Sequence, residues 1–159
     1  MSFQICINTD KSLHQLATEI RKLLSLPPFQ ETPGESYCQF EMLGMTLLIH
    51  QVDEEDRDPE VKRYPYSLDL QMSFTDHELD TDTMEYQLQP YYAQLLSFHL
   101  GLETAYREQK KGERIWQIGY HFCRKNYKWN GTILFGEAGW EPAVLEAPPS
   151  QWRSMLPLF

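Results

Sequence analysis

Histidines followed by runs of carboxylates are the first feature of this chain that could do chemistry. His50 is followed by Asp53, Glu54 and Glu55, and His77 by Glu78, Asp80 and Asp82. Imidazole nitrogens and carboxylate oxygens are ordinary ligands of divalent metals. If the two segments end neighbouring strands, His50, Asp53, His77 and Asp80 would form a metal site and the protein a small metal-assisted enzyme. The spacing carries no HxH or HExxH pattern, however. Residues 76–82 also lack the central glycine and the distal glutamate of a calcium loop.

Nucleophilic chemistry has less to work with. There is no G-x-S-x-G elbow. Cys6, Cys38 and Cys123 are odd in number, widely spaced and without a CxxC, which predicts buried thiols rather than disulfides or a zinc site. Cys123 shares a strand face with His121, and Arg124 and Lys125 follow, but a packed pair accounts for this as well as an activated thiolate does. In the segment Gly136-Glu137-Ala138-Gly139 an acid stands where a phosphate cradle would need a positive field, so it reads as a turn. No cofactor is expected. His99 falls beside apolar helix positions and reads as a core histidine, His14 as an exposed one.

Charge gives the stronger signal. Of 23 acids and 14 bases, residues 53–85 hold twelve acids against Arg57, Lys62 and Arg63, a local net charge of −9. Residues 107–128 run to +5. A pre-formed negative surface steers a basic partner. The residues expected to form it are Asp53, Glu54, Glu55, Asp56, Asp58, Asp69, Glu78, Asp80 and Asp82. Bases interleaved with Trp116, Tyr120, Phe122, Tyr127 and Trp129 suit stacking on nucleic acid, yet an overall charge of −9 repels phosphate and argues against it.

These residues must be positioned by a folded core, and at 159 residues with 42% hydrophobic and 13% aromatic content the chain suits one packed domain, 1–159. Phe3, Ile5 and Ile7 alternate as a strand. Ser12 with Gln15 forms a capping box ahead of a helix that Pro27-Pro28 stops. Residues 37–43 and 45–52 predict a hairpin about Gly44, followed by an exposed acidic loop, 53–62. Tyr66 to Phe74 alternate as a half-buried strand whose polar side, with Ser67, Asp69 and Gln71, would be an open face.

A second helix is predicted from 83 or 90 to 109. Pro90 would take its first turn, and Tyr91, Leu95, Phe98, Leu102 and Tyr106 would form one stripe. Trp116, Ile118, Tyr120 and Phe122 line one face of a later strand, and Asn130-Gly131 signals a hairpin turn. The sum is an α+β fold, a mostly antiparallel sheet of five to six strands with two helices on one face.

Residues 136–159 form an irregular, apolar segment that packs on its own domain or on a partner, with Trp152 as anchor and a homodimer as one outcome. No stretch reaches the ~20 apolar residues of a membrane span, and the first residues carry no signal pattern, so a cytoplasmic location is expected. Taken together, the pattern favours a non-enzymatic binding or inhibitory module that presents an acidic surface to a basic protein. A metal-assisted enzyme and a subunit docked by its C-terminal tail are the alternatives.

Overall fold

The computed structural model describes residues 3–31, 37–42, 44–72, 81–111, 116–125, 143–145 and 153–155. Six strands of six to ten residues build one antiparallel sheet: β1 (Phe3–Asn8), β3 (Tyr37–Met42), β4 (Met45–Gln51), β5 (Tyr66–Met72), β6 (Glu103–Lys111) and β7 (Trp116–Lys125). Three short strands, β2 (Gln30–Glu31), β8 (Ala143–Leu145) and β9 (Arg153–Met155), extend its edges. The order is β2-β3-β4-β5-β1-β6-β7, with β8 and β9 both on the outer side of β7. Two helices, α1 (Leu13–Leu24) and α2 (Thr81–Leu100), complete the expected α+β class.

The period-two alternation of β1 sends Phe3, Ile5 and Ile7 to one face, where they are fully buried opposite Leu70, Leu68 and Tyr66 of β5. Leu16, Ala17 and Ile20 of α1 and Ala93 and Leu96 of α2 join the same core, so both helices cover this face. Each large apolar side chain taken fully out of water there contributes about 1.5–3 kcal/mol.

Helix α1 begins where the capping box predicts. The Gln15 amide N–H donates to Ser12 Oγ at 3.2 Å, and the Ser12 N–H donates to Gln15 Oε1 at 3.1 Å. Its end is set by Ser25 in the left-handed region at φ 53°. The β3–β4 hairpin turns at Gly44, φ 77°, with Met42 opposite Met45, as a two-residue turn requires.

Helix α2 departs from expectation. It starts at Thr81, carries Pro90 in its interior and stops at Leu100, where Gly101 (φ 66°) returns an N–H to the Ser97 carbonyl. Leu102 and Tyr106 therefore lie beyond the helix, and His99 is exposed rather than in the core. The predicted stripe fails because the buried face of α2 is largely polar: Glu85, Gln89 and Ser97 are buried alongside Ala93 and Leu96.

Those polar groups bond to backbone. Met72 N–H donates to Glu85 Oε1 at 2.7 Å. Strands β1 and β6 pair from Asn8 opposite Glu103 up to Ile5 opposite Tyr106, and the next rung would join Gln4 to Arg107. Gln89 occupies that rung instead: its Oε1 accepts from Gln4 N–H at 3.0 Å and its Nε2 donates to the Arg107 carbonyl at 3.4 Å.

The remaining predicted elements divide in two. The Asn130-Gly131 turn lies outside the described residues. In the proline-rich C-terminal segment, β8 pairs with Cys123–Lys125 and β9 with Trp116–Ile118, so those residues join their own sheet. No helix among the described residues is long and apolar enough to cross a membrane.

Replacing Gln89 with Leu removes the bridging amide and leaves a buried donor and acceptor unmet. Urea denaturation of Gln89→Leu should show a loss of about 2–3 kcal/mol, against about 0.5 kcal/mol or less for Gln87→Leu at an exposed position of the same helix. Equal stability of the two variants would refute the bridging role.

Candidate functional site

The β4–β5 connection is a strap, not a free loop. Its base is closed by Val52 N–H donating to the Pro65 carbonyl at 2.8 Å, and it carries two 3-10 turns, Glu54–Asp56 and Pro59–Val61. From there it reaches the far side of the sheet from the helices. Val61 and Tyr64 are buried against Ala105, Ile118 and Tyr120, with Cys6 and Phe122 packed around them. The face expected to be open is thus half covered. Ile118, Tyr120 and Phe122 do share a face, but the strap covers it rather than a helix.

Hydrogen bonds from the strap's own cations fix its shape. Arg57 donates through Nε to the Val52 carbonyl at 3.0 Å and through Nη1 to the Lys62 carbonyl at 2.8 Å. Lys62 Nζ donates to the Glu54 carbonyl at 2.9 Å. Arg57 and Lys62 bind backbone oxygens, while Asp53, Glu54, Glu55 and Asp56 stay exposed, and among the described residues no ion pair engages their carboxylates.

Asp58 behaves differently. It is half-buried, accepts the Tyr120 hydroxyl at 2.5 Å and lies 3.7 Å from the Arg107 guanidinium. Burial, and then this hydrogen bond to a carboxylate, holds the Tyr120 hydroxyl well above the usual tyrosine range. Burial likewise pushes Tyr64 up to about 12. A cavity of about 110 Å³ lies beneath the strap, with Gln4, Cys6, Asp58, Arg107 and Tyr120 among its lining residues.

The rest of this face is largely polar, although Ser67, expected on the open surface, is fully buried. His50 Nε2 lies 2.9 Å from Asp69 Oδ2, and Ser67 Oγ donates to Asp69 Oδ1 at 2.7 Å. The residue types are those of a hydrolytic triad, but the order is not: the carboxylate stands in the middle, and the serine donates to it rather than to the imidazole. A triad needs histidine between the other two to take the serine proton. Asp69 instead holds two neighbours in place, and its hydrogen bond raises the His50 pKa above 6.5.

The expected metal site is not assembled by what is described. His50 engages Asp69 rather than Asp53, while His77 and Asp80 lie outside the described residues. No group of three or more His, Cys, Asp or Glu side chains among the described residues could hold a metal ion. Glu78 and Trp152 also fall outside. Asp82 lies in the first turn of α2 rather than in a loop, and its side chain is not described. The thiols are poor nucleophiles: burial pushes both Cys6 and Cys123 up to about 12.

On the helix face a larger cleft, about 780 Å³, opens between α2 and the β6–β7 pair. At its base His121 Nε2 lies 2.6 Å from Glu108 Oε2, and the imidazole stacks on Tyr106 at 4.9 Å. Sequence reading weighed His121 only as a neighbour of Cys123. The signal for its real partner was register, since Tyr106 stands directly opposite His121 on β6.

The raised pKa of His50 has a signed consequence. Its protonated form is favoured by the fold, so the His50–Asp69 contribution is fully present below about pH 6.5 and is lost as pH rises through the raised folded value. The stability difference between the natural chain and His50→Gln should shrink with rising pH over that window. An NMR titration should place the His50 midpoint above 6.5 and return it toward that value in Asp69→Asn. A midpoint unmoved by Asp69→Asn would refute the assignment. Compared with known protein families, curated proteins and solved structures, the chain matches none, so its chemistry rests on its own residues.

Proposed function

We propose that the protein is a binding module whose strap, with the polar half of the sheet face beside it, receives a basic protein surface. The observation that carries this reading is the use of Arg57 and Lys62. Both cations near the turn are committed to backbone carbonyls, so four consecutive carboxylates stay in water on a backbone that is already fixed. A partner's lysines and arginines then meet acids that neither need ordering nor must first release internal partners. Preorganisation of this kind lowers the entropic cost of association.

Physical scale tells what such a surface does. Each exposed pair contributes under about 1 kcal/mol, so the acids act mainly through encounter rate and salt sensitivity. Among the described residues of the basic segment, Arg107 lies 3.7 Å from Asp58, outside the run of four. A catalytic reading finds less support, because His50 is engaged by a carboxylate and burial holds the Cys6 and Cys123 thiols protonated.

The test is a pull-down from native cell extract, at low salt, with the chain and with its Asp53→Asn, Glu54→Gln, Glu55→Gln, Asp56→Asn variant. Proteins retained by the natural chain should be basic, should elute in salt steps over a range where the Debye length falls from about 30 to about 8 Å, and should be absent from the variant. The variant should melt no lower than the natural chain, since these carboxylates make no ion pair among the described residues. Retention of the same proteins by both chains would end the proposal.

A further inference from the structure

On the opposite side of the sheet from the strap, the cleft between α2 and β6–β7 has the dimensions and lining of a small-molecule site. Its volume of about 780 Å³ falls within the roughly 300–1,000 Å³ usual for such sites. On the helix face of the sheet, Tyr106 and Glu108 of β6 and His121 of β7 form its floor. Above it, the polar face of α2 is pinned by Gln89 to the rung where β1 and β6 part.

One wall is apolar and comes from α2, through Met84, Leu88 and Pro90. At the rim stands Tyr91, 49% exposed, the one exposed large hydrophobic side chain among the described residues. A flat ring entering beside it would remove that surface from water, and the soft Met84 thioether suits an aromatic edge.

The floor is held rigid from two sides. The His121 imidazole stacks on Tyr106 with an interplanar angle of 22°, and its Nε2 is tied to Glu108. The His121 side chain is 10% exposed and that of Glu108 38%, so the carboxylate presents acceptor capacity to the cleft while the imidazole backs it. A carboxylate accepts several hydrogen bonds, and one to a cationic donor in a partly dry site is the strong kind. Among the described lining residues Glu108 is the one carboxylate, and none is a lysine or arginine.

We infer that this cleft binds a flat aromatic amine, its ring lodged between Tyr91, Met84 and Leu88 and its ammonium on the Glu108 carboxylate. The same site rejects aromatic carboxylates, which would bring a second negative charge against Glu108 with no lysine or arginine among the described lining residues. Neutral aromatics of the same shape enter but lack the charged anchor.

The experiment titrates the isotopically labelled full chain with tryptamine, indole and indole-3-acetate and follows backbone amide shifts. Tryptamine should give saturable shifts centred on Leu88, Tyr106 and His121, with affinity about tenfold above that of indole, the value of one charge-assisted hydrogen bond. Indole-3-acetate should give none there. Glu108→Gln should cost tryptamine about that tenfold and leave indole unchanged. Tyr91→Ala, at a rim position 49% exposed, should weaken both.

The wild-type comparison of the three compounds needs no variant, so a variant that fails to fold does not remove the test. Absence of saturable shifts with millimolar tryptamine would overturn the inference. So would indole-3-acetate binding as tightly as tryptamine, or a folded Glu108→Gln with undiminished tryptamine affinity.

Discussion

The parting of β1 from β6 is the constraint from which most of the molecule's features follow. The two strands pair from Asn8 to Ile5 and then separate, and the Gln89 amide bridges the next pair of backbone groups. A buried amide hydrogen-bonded at both ends costs little, whereas open backbone at the same place would cost the desolvation of a donor and an acceptor. Cavities lie on both sides of that split. Gln89 lines the cleft on the helix side, and Gln4 and Arg107, whose backbone groups it joins, line the small cavity under the strap.

The strap answers a second problem created by the same sheet. Ala105, Ile118, Tyr120 and Phe122 form an apolar patch on the side away from the helices. Left open, it would be a site for non-specific association. Val61 and Tyr64 cover it from a segment that is otherwise acidic. One connection thus closes a secondary core with two side chains and shows four carboxylates to water. The Asp58–Tyr120 contact, with Arg107 nearby, joins the two roles.

Much of the framework was legible in the sequence, and the reason is that burial was one-sided. In α1 the apolar residues repeat at helical spacing behind a capping box, and in β1 and β5 they alternate, so period and position agreed. Helix α2 resisted because Glu85, Gln89 and Ser97 occupy its buried face, and hydropathy cannot distinguish a polar residue facing water from one facing backbone. Leu102 and Tyr106 continued a helical spacing by coincidence, although Gly101 was a visible stop. In the strap, the charge of 53–60 masked Val61 and Tyr64, whose spacing of three was the trace of an apolar anchor. His50 was noticed for the acids after it, but its partner Asp69 lies on the next strand, where only the pairing of His50 with Ser67 brings the carboxylate diagonally within reach.

The position of β1 has a further consequence, for the order of assembly. This strand lies at the middle of the sheet, yet it is the first element of the described chain, and its side-chain contact from Asn8 to Glu103 spans 95 residues. The β3–β4–β5 meander needs only local pairing and can form early. The centre must wait until β6 arrives, and the Gln89 bridge to Gln4 closes a separation of 85 residues at the same stage. Loop-closure entropy is spent before those distant contacts return stability, an arrangement that slows folding relative to local pairing. Until that moment the core face of β1, with Phe3, Ile5 and Ile7, has a neighbour on one side only.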